Sequence, residues 1–187
     1  MPTASPSATK VVTGKVRLSY VHLFEPYSSK PNQEARYSVT LLIPKSDRVT
    51  LAKIEKAYAA AAEAGKTKHF GGSIPRNLKR TLHDGDEEAD LERSPEYEGH
   101  MYMALSSKQK PGVVDASLNT IMDATQVYSG CYGRVSMNAF AYSGESKGLS
   151  FGLDNVMFIE DGEPLGGVKT RAEDDFADFA DSGEGLI

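Results

Sequence analysis

GCYGRVSMNAFAYS, residues Gly130–Ser143, alternates along its whole length. Cys131, Gly133, Val135, Met137, Ala139 and Ala141 share one parity, and Tyr132, Arg134, Ser136, Asn138, Phe140 and Tyr142 the other. Successive side chains of a strand point to opposite faces, so this period predicts a long strand. One of its faces is small and apolar enough for the inside of a barrel, and the other is aromatic and basic.

The flanking sequence extends that reading. Gly144–Lys147 is suited to a hairpin turn and Gly148–Ile159 to a partner strand. Upstream, Met101–Ser107 reads as a strand, with a short one at Val113-Val114 after Pro111. Lys10–Phe24 reads as one long strand whose alternation slips near Gly14, as at a bulge or barrel bend. Ala35–Ile43 places Tyr37, Val39, Leu41 and Ile43 on one face and stops at Pro44. Between these strands, 47–64 has helical spacing, with Leu51, Ile54, Tyr58 and Ala61 in a stripe. Ser46 or Asp47 can cap its start and Gly65 its end. Residues 65–83 read as a basic loop, 84–98 as an acidic connection and 161–167 as a closing Gly/Pro turn. The expected fold is mainly β with one principal helix: an OB-like five-stranded Greek-key barrel over residues 10–171. Residues 1–9 and 172–187 are expected to be disordered tails.

Net charge is −5, but its distribution is uneven. Residues 1–83 hold 14 Lys/Arg against 5 Asp/Glu, whereas 84–98 hold one Arg and 8 acids. Residues 172–187 carry 6 acids and no base. A basic half beside acidic blocks suggests a polyanionic partner. No apolar run approaches the roughly 18 residues of a membrane span. Met1–Thr9 does not read as a secretory signal. The lone Cys131 can form no internal disulfide or zinc site, which fits a reducing cytoplasm.

Enzymatic readings find little support. Gly65-Lys66-Thr67 resembles the end of a phosphate-binding loop, but position 60, where such a loop needs Gly, is Ala60. Asp84, Asp86, Glu88 and Asp90 resemble a calcium loop whose sixth and twelfth positions are Ala89 and Pro95 instead of Gly and Glu. His22, His69, His83 and His100 share no ligand spacing, and no Ser or Cys lies in a nucleophile motif. The expectation is a protein without catalytic residues, metal or cofactor.

Single-strand binders line a groove with Lys and Arg and present aromatic rings on which any base can stack. Candidate contacts of this type are Lys15, Arg17 and Tyr27 around the first strand, and Lys68, Arg76, Lys79 and Arg80 in the basic loop. Lys108 and Lys110 follow the third strand, and Tyr132, Arg134, Phe140 and Tyr142 share the outward face of the fourth. Packing against the helix or a second subunit is the competing explanation for that last face. Tyr20 and Phe24 fit the core as well as a groove. The acidic tail intersperses Asp174, Asp175 and Asp178 with Phe176 and Phe179, a pattern suited either to partner recruitment or to solubility.

Tyr128-Ser-Gly-Cys-Tyr-Gly-Arg-Val135 through Ala141-Tyr142, with Gly148-Leu149-Ser150, Asp84-Gly85-Asp86 and Asp161-Gly-Glu-Pro-Leu-Gly-Gly167, resembles a phage family first catalogued as a domain of unknown function. The resemblance covers about residues 10–167. It implies an OB-fold single-stranded DNA-binding protein of phage replication and recombination, working in the cytoplasm of the infected host. The Phe-containing acidic end is similar to tails of other single-strand binders that recruit replication or recombination proteins, though it ends in Leu186-Ile187 and not in Phe. Homo-oligomerisation is a further possibility. The other functions considered are an accessory subunit of a phage polymerase or nuclease, and a β-rich virion protein.

Overall fold

The computed structural model describes residues 8–165 and 172–180. In chain order its elements are β1 (Lys10–Val12), β2 (Val16–Tyr27), β3 (Arg36–Pro44), α1 (Arg48–Phe70), β4 (Lys79–Arg80), β5 (His83–Asp84), α2 (Gly85–Glu88), β6 (His100–Ser107), β7 (Gly112–Val114), β8 (Tyr132–Tyr142), β9 (Gly148–Glu160) and α3 (Ala172–Asp175). The strand path runs β1–β8–β2–β3–β6–β9, and β8 pairs with β9 to close it. With β1 and β2 taken as one bent strand, this is the five-stranded Greek-key barrel expected of an OB-like fold.

The bend explains why the first strand is not continuous. β1 pairs with β8 through Lys10↔Asn138 to Val12↔Ser136, and β2 rejoins it at Val16↔Gly133. The break at 13–15 is tied down by hydrogen bonds: the Thr13 N–H donates to the Val135 carbonyl, the Val135 N–H donates to Thr13 Oγ1, and the Gly14 N–H donates to Thr50 Oγ1. β2 then leaves β8 to pair with β3. A barrel strand has to serve two neighbours, and the jog lets one segment do so.

α1 covers the barrel beside β1, β8 and β9. Asp47 caps it, its Oδ1 accepting from the Thr50 N–H at 3.1 Å. Ile54, Tyr58 and Ala61 are buried as the stripe requires, and Leu51 packs partly against the core. The helix does not stop at Gly65. It continues to Phe70 and ends at Gly71 in the left-handed conformation. Burial of Phe70 stabilises the extra turns, and Gly65 is a point of close approach, since a Cβ there would lie 2.5 Å from the Ala141 Cβ. The stretch expected to be a basic loop is therefore part helix, followed by β4 and β5.

The core is built from alternate residues: Leu41 and Ile43 of β3, Met103 and Leu105 of β6, Val135 and Met137 of β8. Each such side chain contributes about 1.5–3 kcal/mol by leaving water. Cys131 is buried among them, and desolvation pushes its thiol pKa up, so it is a small apolar residue with little thiolate. In the acidic connection, Asp84 and Asp86 hold Lys45 Nζ at 2.7 Å each, and Asp86 also accepts from the Gly99 N–H. Their depressed pKa values follow first from those Lys45 hydrogen bonds.

The expected tails fall largely outside the described residues, which exclude 1–7 and 181–187. Thr9 is tied to β8, its carbonyl accepting from the Ala139 N–H. Residues 172–180 form α3 and a 3-10 turn, Ala177–Phe179, with Phe176 and Phe179 exposed. Asp175 and Asp178 are also exposed, and the Asp174 side chain lies outside the described set.

Candidate nucleic-acid interface

A β-bulge creates the most distinctive surface. Along β2, Val16 and Leu18 face the core, but so does Leu23, of opposite parity. The switch occurs where the β2–β3 register shifts between Ser19 and His22. Tyr20 sits at this shift with φ +47° and is 62% exposed. For a residue with a Cβ this backbone costs about 1–2 kcal/mol. Tyr20, which competes for a core position in the sequence, is thus turned outward, while Phe24 packs partly against the core.

Tyr20 opens onto a channel along β2. A groove of about 380 Å³ is lined by Tyr20, His22, Arg93, Glu96 and Ser129. A second, of about 510 Å³, is lined by His22, Phe24, Lys110 and Met122. The two grooves adjoin at Val21 and His22, which line both. Segment 128–131 fixes the wall, with the Val21 N–H donating to Ser129 Oγ and the Gly130 N–H to the Leu18 carbonyl. The His22 and Tyr27 rings stack at 4.2 Å with 6° between planes, and desolvation lowers the His22 pKa.

The channel borders a strip of short side chains. His22 pairs with Ser38, Tyr27 with Arg36, and Ser38 with Ser106. Ser38, Ser106 and Ala104 are all at least partly open. Tyr97 and Tyr102 pack edge to face at 4.9 Å at one end, where burial pushes the Tyr97 hydroxyl up to about 12. Stacking rings, flanking cations and a shallow floor are what a single strand needs to lie flat with its bases turned to the protein. In OB folds the face of the second and third barrel strands, here β3 and β6, is the usual ligand face.

The sequence-derived candidates divide among separate regions. Tyr27, Lys108 and Lys110 border this face, Lys108 lying 3.5 Å from Glu34. Lys15, Arg17 and Tyr132 form one cluster, with both cations over the Tyr132 ring at 5.2 and 5.7 Å. They are engaged internally: Lys15 with Glu160 at 2.5 Å, Arg17 with the Gly130 and Glu163 carbonyls. Arg134 donates to the Thr13 carbonyl. Lys79, Arg80 and Tyr142 line one groove, and Lys68 and Phe140 another. Arg80 also pairs with Glu55 and covers the Tyr58 ring. Arg76 is exposed in the loop after α1. The common parity on β8 therefore does not make a common site. Tyr132 and Phe140 are eight residues apart, about 26 Å along a strand. Tyr20, weighed in the sequence between core and groove, lines the channel with His22, Arg93 and Met122, which were not among the candidates; nor was Arg36, which pairs with Tyr27. Rings at 20, 22 and 24 alternate on β2, which was the available signal.

Among the described residues no cluster of His, Cys, Asp and Glu is arranged to hold a metal, and no helix is long and apolar enough to cross a membrane.

Residues 9–186 match the family model described as Enterobacter phage Enc34, ssDNA-binding protein. The putative protein p50 of Acyrthosiphon pisum secondary endosymbiont phage 1 is 30% identical over 181 residues, covering 91% of this chain and 94% of that protein. The single-stranded DNA-binding protein of bacteriophage Enc34, solved in complex with ssDNA, superposes with a TM-score of 0.70 at 27% identity, over 84% of this chain and 90% of that one. The bacteriophage T7 single-stranded DNA-binding protein gp2.5 shares the fold, with a TM-score of 0.59 at 17% identity over 95% and 97% of the two chains. An outward-turned ring, a stacked ring pair and flanking cations on a closed five-stranded barrel agree with a match across nearly the whole chain, and the protein belongs to the Enc34 phage ssDNA-binding protein family.

Proposed function

We propose that this protein binds single-stranded DNA without sequence preference and protects it during phage DNA replication and recombination in the infected host's cytoplasm. The observation that carries the reading is the pair of grooves along β2, beside the β3–β6 face, on a chain whose family is named for this activity. Tyr20 and the His22–Tyr27 pair stack on bases. Arg36, Arg93, Lys108 and Lys110 meet phosphates. Stacking on a π-face selects no base, so binding is tolerant of sequence. Lys15, Arg17, Tyr132 and Arg134 contribute mainly by holding the barrel's end. No step of this function requires bond-breaking chemistry.

In this reading the acidic tail recruits replication or recombination proteins through Phe176 and Phe179 set among Asp174, Asp175 and Asp178. It also competes with DNA for basic surface, since residues 172–187 carry 6 acids and no base.

The test is fluorescence anisotropy with labelled single- and double-stranded oligonucleotides across a salt series. Single strands should bind far more tightly than duplex, with affinity falling steeply as salt rises because bound phosphates release counterions. Equal affinity for duplex, or none at low salt, refutes the proposal.

A further inference from the structure

The Lys79–Tyr142 groove meets the β3–β6 face through a ring contact. Tyr102, on the outer parity of β6, lies 5.3 Å between centroids from His83. His83 lines a groove of about 480 Å³ with Lys79, Tyr142 and Ser150. Two residues back along β8, Phe140 lines the next groove, of about 300 Å³, with Lys68 and His69. Phe140 is 47% exposed. The open side of the ring is available for a base to stack on.

The cations beside these grooves divide into paired and unpaired ones, Lys66 facing Glu63 and Arg80 facing Glu55. Lys15, Lys45 and Lys108 each face a carboxylate. Lys68, Lys79 and Lys147 form no ion pair among the described residues. Lys147 is held next to Lys79, its carbonyl accepting from the Lys79 N–H at 3.2 Å. Charge left unneutralised beside an exposed ring matches the alternating phosphate and base of a nucleic-acid strand.

We propose that a single strand lying on the β3–β6 face continues over His83 onto this second surface. There Lys68, Lys79 and Lys147 take phosphates and Phe140 stacks on a base. This rests on the single-stranded DNA reading above and adds to it an extended, two-part site that bends around the barrel.

The test compares short and long oligothymidylates, about 6 and about 20 nucleotides, chosen around the usual span of one OB fold. The full chain and two variants, Phe140→Ala and the double variant Lys79→Ala with Lys147→Ala, are titrated across a salt series, with thermal melts confirming the fold. Each variant should bind the long oligonucleotide roughly tenfold more weakly. The double variant should also flatten the log–log salt slope by about 1.4, the value for two phosphates on a single strand. The short oligonucleotide should bind all three proteins equally. Equal losses on both lengths would mean a general charge effect and overturn the proposal, as would no loss on either. Tighter binding by the double variant would assign the surface to the chain's own acidic tail and also overturn it. Failure of the unmodified chain to bind either oligonucleotide would refute the underlying DNA reading instead.

Discussion

Replacing Tyr20 separates two effects that usually coincide, backbone strain and ligand binding. Tyr20→Ala removes the exposed ring but leaves a Cβ at φ +47°. Tyr20→Gly removes both. Left-handed backbone costs an L-residue about 1–2 kcal/mol, and Gly loses about 0.5–1 kcal/mol more chain entropy on folding than Ala. The Gly variant should therefore be more stable than the Ala variant by about 0.5–1 kcal/mol, the reverse of the order in ordinary strand. Both variants should lose about 1–3 kcal/mol of affinity for single-stranded DNA, and Tyr20→Phe, which keeps the ring, should lose little. Urea denaturation gives the first comparison and anisotropy with labelled oligothymidylate the second. Unchanged affinity in Tyr20→Ala would remove the ring from the binding surface. An Ala variant more stable than Gly would refute the claim that the bulge holds strained backbone.

Gly65→Ala should destabilise although Ala is the better helix former, because its Cβ would lie 2.5 Å from that of Ala141; a loss of about 1–3 kcal/mol is expected in thermal or urea unfolding. Lys45→Met should remove the contact that most depresses the pKa values of Asp84 and Asp86. That stabilisation is present above the ordinary carboxylate pKa and is lost as pH falls through the depressed native values, so wild type and variant should differ most near neutrality and converge in acid melts. Deleting residues 172–187 should tighten DNA binding, most at low salt, where screening is weak. Phe176→Ala with Phe179→Ala keeps the charge, so pull-down of replication proteins should be lost while DNA affinity persists; retained pull-down would remove the rings from recruitment.

Local pattern made much of the barrel legible. The alternation of Gly130–Ser143 gave β8 its inward and outward residues, and the stripe from Leu51 to Ala61 gave α1 its buried face. The cap was narrowed to Ser46 or Asp47, and the helix uses Asp47. The end of α1 was hidden because Gly65 reads as a stop, whereas its role is closeness to Ala141 of β8, 76 residues later. The proposed binding surface was harder still. Period 2 assigns Tyr20 to the same parity as Leu18, and only a bulge reverses that parity. The shared parity of Tyr132 and Phe140 was equally real but implied no shared surface. Alternation sets which side of the sheet a residue takes, while curvature and length set which residues meet.

The pairing of β1 with β8 also constrains how the protein is made. Lys10 aligns with Asn138, 128 residues later. At the usual 5–20 residues per second, about 6–25 s separate their synthesis. The antiparallel β2–β3–β6 meander is complete by Ser107, so a nascent chain can carry the proposed ligand face while the barrel wall behind it is still missing. Its apolar inner side, with Leu41, Ile43, Met103 and Leu105, then lies open on the ribosome. During rapid phage expression, the yield of usable protein should depend on how well that open sheet is shielded until β8 and β9 arrive.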